Sequence, residues 1–350
     1  MSFQKNVLLH RAFTVLVILG LFLVPSGIVS ASSPVVSSYT YAGPIFGLSA
    51  APDNSLLVAD SGAGIVSLRK GVGSLVASLP GVSDVAAIGR GDMFAITGGP
   101  DGKLYRVSNG KVKMLADLGE FERTVNPDAP EINPNPFDVE ALTGGKALVA
   151  DAGGNDLLIV DQKGKIDWVA TLPNELVPTD NAKLLVGCPN PPAEFAFVCG
   201  LPAMIPAQAV ATSIAVGPDG AYYMGELKGF PGAVNSSRIW RIEPGTLHAR
   251  CGTDPACSVV ASGFTSIVDL AFGPDGTLYV TEYDEASFLA IELGGSAMQG
   301  GTVNACKLGG SCTVLAGGLT MPIGVTVDKT GQVYAAIMNL TPNAQVVSLP

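Results

Sequence analysis

Apolar residues along this chain fall in short alternating runs, cut by Gly, Pro, Asn and Asp. Alternation with period two predicts half-buried strands, and the cutting residues predict tight turns. One fourteen-residue pattern recurs six times without a gap. Its clearest copy is DLAFGPDGTLYVTE, Asp269 to Glu282. The others run from Gly47 to Asp60, Asp84 to Thr97, Asp138 to Asp151, Ser213 to Glu226 and Gly324 to Ile337. Each copy reads as strand, turn, strand. Gly, Asn and Asp in the turn supply the positive φ that a tight hairpin needs.

The copies end at 60, 97, 151, 226, 282 and 337, and the shortest spacing, 37 residues, approaches one four-stranded unit. Such a unit repeated at roughly 40–45 residues predicts a β-propeller rather than a helical solenoid. Segments such as KVKMLADLG, KIDWVATLP and CTVLAGGL supply the fourth strands. The sixth copy has no fourth strand after it. Val35 to Pro44 has that register at the other end, so the N-terminal strand is expected to close the ring. The expected fold is all-β, a six-bladed propeller with residues 32–350 as one domain.

Residues 1–31 stand apart. Lys5, His10 and Arg11 precede an uncharged run from Ala12 to Val24, and Val29-Ser30-Ala31 offers small residues for cleavage. This is the three-part pattern of a signal peptide. The run is short for a membrane anchor, which needs roughly 20 apolar residues. A secreted or periplasmic protein without a membrane segment after cleavage is therefore expected.

Composition narrows the function. Charged residues make up 14% of the chain, against about 25% in average proteins. The net charge is −10, and both basic residues of the leader would leave with it. An acidic chain lacks the basic footprint of a nucleic-acid binder. The six cysteines form three close pairs: Cys188 with Cys199, Cys251 with Cys257, and Cys306 with Cys312. In an exported chain these read as three local disulfides. Zinc is the weaker alternative, because no pair is spaced C-x-x-C and His248 is the only His outside the leader.

The segment Asp151-Ala-Gly-Gly-Asn155-Asp156-Leu-Leu-Ile-Val-Asp161 resembles the heart of an NHL repeat, and Gly273 to Val280 looks the same. With PIFGLSAAPDNSLLVAD near the start, an acidic Pro-rich segment before NPFDVEAL, and GLTMPIGVTVD near the end, the mature chain resembles the ScyD/ScyE family. That resemblance implies an exported NHL-type, TolB-like propeller linked to scytonemin biosynthesis. It implies little about activity, since propellers host unrelated functions.

In a propeller, the start of each first strand and the end of each second strand share one face, here the top. Seven of those twelve positions are acidic: Asp84, Asp138 and Asp269, then Asp60, Asp151, Glu226 and Glu282. Clustered carboxylates favour a hard divalent cation such as Ca²⁺. Asp138, Glu140, Glu226 and Asp269 form the first candidate set, by geometric analogy with gluconolactonase-type and strictosidine-synthase-type propellers. The competing reading makes the second-strand Asp residues caps of their own turns. The long connections Glu120–Pro136, Pro173–Pro206 and Glu226–Arg238 are expected to wall a cleft for a small-molecule or protein ligand. Two functions follow: a monomeric binding module with an acidic top face, or a metal-dependent lactonase-like or cyclising enzyme with Glu140 as candidate base. A Ser-His-Asp triad has little support, because His248 lies in a connection on the bottom face.

Overall fold

The computed structural model describes residues 34–350, so the leader lies outside the described residues. Six antiparallel sheets surround a channel. Their innermost strands are Ile45–Ala50, Val82–Gly89, Pro136–Leu142, Ala211–Val216, Ile267–Phe272 and Gly324–Val327. These open blades 1 to 6, and the next strands follow outward in chain order. Blade 3 gains a fifth strand, Ala249–Arg250, which leaves blade 4 to run parallel to Ile166–Thr171. Blade 6 has three strands of its own. Val35 bridges Val347, and the Val36 N–H donates to the Val346 carbonyl at 2.9 Å, so the N-terminal segment completes this blade as expected.

Alternation within the strands places one apolar cluster in each gap between blades. Phe94, Ile96 and Leu104 of blade 2 meet Val139, Val149 and Leu158 of blade 3. Tyr223 and Ile239 of blade 4 meet Leu270, Leu278 and Val280 of blade 5. A ring built this way has no central core, only six seams.

In blades 1 to 5 the first strands begin two residues earlier than the sequence pattern suggests, whereas the blade 6 strand begins at Gly324 as read. Asp60 pairs with Ile45, Thr97 with Val82 and Glu282 with Ile267. A β-bulge just inside each pairing absorbs the offset, and the same irregularity occurs in blades 1 to 5. Asp84, Asp138 and Asp269 therefore sit one step below the rim, paired with Ile96, Ala150 and Thr281.

That step puts their side chains on the neighbouring blade. The inner edge of a first strand has no strand beside it, and its N–H groups need acceptors. The Val139 N–H donates to Asp84 Oδ2 at 2.8 Å, Ile214 N–H to Asp138 Oδ2 at 2.6 Å, and Val325 N–H to Asp269 Oδ2 at 2.6 Å. Ser49 Oγ accepts from Ala87 N–H at 3.2 Å, and Thr326 Oγ1 from Ala50 N–H at 3.0 Å. Across the remaining seam, Thr212 Oγ1 donates to the Ile267 carbonyl at 2.7 Å. Every seam thus carries one side-chain clasp from a first strand to the next. Where Asp84 reaches past blade 1 the chain must be Gly47: a Cβ there would lie 1.6 Å from Asp84 Oδ1.

The top-face connections carry most of the remaining structure. The Glu120–Pro136 segment overlaps the helix Leu118–Thr124. The Pro173–Pro206 segment holds a small hairpin, Glu175–Pro178 with Met204–Ala207, and short helices stapled by Cys188–Cys199. Those helices pack on Phe288 and Leu289 of a further connection in blade 5, between Glu282 and Gly301, which the sequence reading did not single out. Cys251–Cys257 and Cys306–Cys312 are also bonded.

The seam clasps lead to a stability test. Thr326→Val keeps the shape but leaves the Ala50 N–H without its acceptor. Denaturant unfolding is expected to show a loss of about 1 kcal/mol for Thr326→Val and much less for Thr326→Ser. Equal losses in the two variants would mean that the hydroxyl is not the clasp.

Candidate functional site

The acids singled out on the top face separate into two populations. Those ending second strands serve their own blades. Asp60 accepts from Ala42 N–H at 2.7 Å, Gly43 N–H at 2.9 Å and Gly62 N–H at 3.0 Å. Asp151 accepts from the N–H groups of Asn135, Gly153 and Gly154 at 2.7–3.0 Å. Glu282 takes Thr265 N–H, the Thr302 hydroxyl and Asn304 Nδ2. Asp60 and Asp151 cap their own turns, and all three staple the chain entering the first strand of the same blade, Glu282 tying it to the third strand as well.

Glu226 is placed apart from the channel set. Its carboxylate is fully buried and meets two cations, Lys228 Nζ at 2.9 Å and Arg238 Nε at 2.7 Å. Glu175 completes the cluster at 2.8 Å from the same Lys228 Nζ. Arg238 also lies over the Trp240 ring, 4.7 Å from its centroid. Matched by two cations, Glu226 has little left to offer a metal ion.

The other population faces the channel. Asp84, Asp138, Glu140 and Asp269 line one cavity of about 220 Å³, with no Lys, Arg or His in its wall. At the level of Glu140 the other blades present only Ser49, Ala86, Ala215, Ala271 and Thr326, so this one long side chain reaches into open space. Ser213, which aligns with the channel Asp residues, is fully buried, and its hydroxyl has no partner.

Burial is the main force on the channel carboxyls, and their mutual repulsion adds to it. Asp84 is raised well above the usual carboxylate range, by burial first and by the Asp138 charge second. Asp269 is raised for the same two reasons. Asp138 is raised less, because hydrogen bonds from the Asp84 carboxyl and the Ile214 N–H favour its ionised form. Glu140 is pushed up to about 8 by burial, with the Asp138 charge adding to it.

Such a site can hold protons near neutral pH or attract a cation. It is poorly equipped as a resident metal site. One oxygen of Asp84 and of Asp138, and both oxygens of Asp269, are committed to backbone N–H groups, and among the described residues no three His, Cys, Asp or Glu side chains form a metal-ligand group. The set Asp138, Glu140, Glu226 and Asp269 is brought together only in part, because Glu226 belongs to the ion cluster of blade 4. His248 lies on the outside, where Nε2 meets Asp167 Oδ1 at 2.7 Å and the ring packs on Trp168.

No family model and no curated protein matches this chain. Solved structures do resemble it. A gluconolactonase from Xanthomonas campestris is 14% identical, with a TM-score of 0.57 over 90% of this chain and 89% of that one. The PQQ-bound aldose sugar dehydrogenase of Streptomyces coelicolor is 13% identical, with a TM-score of 0.55 over 92% and 97%. Regucalcin from Agrobacterium tumefaciens, a calcium-binding protein, is 11% identical, with a TM-score of 0.54 over 91% and 94%. At these identities the likeness speaks for the fold alone.

The raised Glu140 makes stability depend on pH. Its folded pKa of about 8 exceeds the unfolded value near 4.5. Its contribution is thus fully present below the unfolded pKa and is lost as pH rises through about 8. Glu140→Gln removes the loss. In chelated buffer the variant is expected to match the wild type near pH 5 and to melt about 2–4 °C higher near pH 9. An unchanged difference across that range would show that Glu140 ionises freely.

Proposed function

We propose that this protein is an exported binding module whose channel takes a small cationic ligand. The supporting observation is the channel itself: four carboxyl groups in about 220 Å³, and no basic side chain in its wall. Its size, below the roughly 300 Å³ of common ligand pockets, favours a compact cation over a large planar one. The three channel Asp residues set the field, and Glu140 is the group that meets the ligand directly. Ca²⁺ remains the simplest inorganic probe, although the committed Asp oxygens favour an organic ammonium group.

The compartment supports the same reading. Three disulfides suit an oxidising environment, and no helix among the described residues is long and apolar enough to cross a membrane. The signal pattern ending at Ala31 and the resemblance to ScyD/ScyE proteins both support export. Each blade is closed by its neighbour within one chain, so we infer a monomer. Proteins that dock on the stapled top-face connections remain within this proposal.

One observation favours a catalytic reading beside it. A carboxyl with a pKa of about 8 in a cavity can serve as a general base near neutral pH. Glu140 would take a proton from water, the hydroxide would add to a lactone carbonyl, and the ring oxygen would leave and take up a proton. Lactone hydrolysis that disappears in Glu140→Gln would replace the binding reading with this one.

The binding test uses 1,4-diaminobutane and Ca²⁺ in separate calorimetric titrations. The diamine is expected to bind the wild type and to lose at least about tenfold affinity in Glu140→Gln, the scale of one charge-assisted contact. Because the ionised carboxylate is the binding form, affinity should rise with pH by up to about tenfold per unit below pH 8. Absence of heat with both probes at millimolar concentration would sink the proposal.

A further inference from the structure

Blade 3 buries a second acidic group, away from the channel, where the Glu120–Pro136 connection folds over the turn between Asp151 and Asp156. Glu122 comes from the helix Leu118–Thr124, and Asp128 from the loop that follows. Asp151 ends the second strand and Asp156 begins the third. Glu122, Asp151 and Asp156 are each at most 2% exposed. They converge on one place: a Cβ added to Gly154 would lie 3.4 Å from Glu122 Oε2, 3.4 Å from Asp151 Cγ and 3.5 Å from Asp156 Cγ.

Each of these carboxyls has at least one oxygen without a donor. Glu122 Oε1, Asp128 Oδ1, Asp151 Oδ2 and both Asp156 oxygens are buried without a hydrogen-bond partner. They make up five of the ten such side-chain atoms among the described residues. Asn126 Oδ1, two residues before Asp128, is another. Asp128 is steadied by Asn155 Nδ2 at 2.9 Å, and Asn155 Oδ1 in turn accepts from Val210 N–H at 2.8 Å. Among the described residues, no Lys, Arg or His forms an ion pair with any of the four acids. A buried carboxylate without a donor or counter-charge is strongly disfavoured. Here the disfavour is compounded: Asp156 is raised by burial and then by Asp151, Glu122 and Asp128, and Glu122 is raised to about 7 by burial, then by Asp128 and Asp151.

We propose that Glu122, Asp128, Asp151 and Asp156 form a Ca²⁺ site that pins the Glu120–Pro136 connection to blade 3. The donors are all oxygens, which selects a hard cation over zinc or copper. Five free carboxylate oxygens, with Asn126 close in sequence, suit the six to eight ligands and loose geometry of Ca²⁺ better than the strict octahedron of Mg²⁺. As they stand, the side chains do not form a metal-ligand group among the described residues. Glu122, Asp151 and Asp156 border the space above Gly154, and an ion there would be met by their orphan oxygens while Asp151 Oδ1 keeps its three N–H partners. The inference does not rest on the channel: no residue is shared with the cavity that holds Glu140.

The test compares thermal melts and Ca²⁺ titrations of the full mature chain near pH 7.5, with Glu140→Gln as a channel control. The wild type is expected to melt several degrees higher in about 1 mM Ca²⁺ than in chelator, with one ion bound per chain. Asp156→Asn should weaken Ca²⁺ at least about tenfold, as expected for losing one charge from a hard-ion site. If Asp156→Asn does not fold, Gly154→Ala gives the same reading, since its methyl group fills the space among the carboxyls. Two results overturn the site: a wild type indifferent to Ca²⁺, which would leave protons as the only counter-charge, or a response lost in Glu140→Gln and retained in Asp156→Asn.

Discussion

Closing a sheet array into a ring leaves the innermost strand of every blade with an unpaired edge. That edge faces a channel too narrow for another strand. Its N–H groups must find acceptors, because an unsatisfied buried donor costs about 1–3 kcal/mol. The chain meets this demand at five seams with Ser49, Asp84, Asp138, Asp269 and Thr326, and at the sixth the Thr212 hydroxyl donates to the Ile267 carbonyl instead. The apolar clusters between blades supply the larger stabilisation, but they are tolerant of sliding. The clasps set how far each first strand is displaced along its neighbour, and so fix the shape of the channel.

The same demand explains where the scarce charge goes. Asp60, Asp151 and Glu282 bind N–H groups within a blade, and Asp84, Asp138 and Asp269 bind them between blades. A carboxylate can accept several hydrogen bonds at once, which suits bends where successive N–H groups point the same way. Glu226 departs from the rule by taking Lys228 and Arg238 instead. Lys228 comes from the Glu226–Arg238 connection and Arg238 from the strand Ser237–Ile242, while the stapled connection contributes Glu175.

Much of this was legible in the sequence, for physical reasons. The hairpin turns need positive φ, so Gly, Asn and Asp mark all the copies, and the missing sixth fourth strand points to the N-terminal segment. What the pattern hid was face and partner. An ungapped repeat gives no sign of the bulge that drops Asp84, Asp138 and Asp269 one step below the rim. Nothing in the spacing separates Glu226 from them, because its partners Lys228 and Arg238 are defined only by the fold of the loop. The connection around Phe288 carries neither proline nor cysteine and so reads as an ordinary strand boundary. Glu122 and Asp156 lie in two segments that were each noted, one as an acidic Pro-rich stretch and the other as a repeat motif. Only the folded connection makes them neighbours.

Ligand chemistry then follows from a structural need. Ser49 and Thr326 answer the demand for an acceptor with a single neutral oxygen. An aspartate answers it with one oxygen and brings a second, together with a charge that the backbone N–H only partly offsets. Three of the six seams use Asp, and all three lie on the wall that also carries Glu140. Because the adjoining positions are Ala, Ser and Thr, no side chain supplies a counter-charge. The channel is therefore anionic as a consequence of how its blades are held together, and any occupant must bring either protons or positive charge. The affinity for a cation and the register of the blades share the same residues. Replacing the seam aspartates by serine would lower both, whereas Glu140, which clasps nothing, can be changed for ligand chemistry alone.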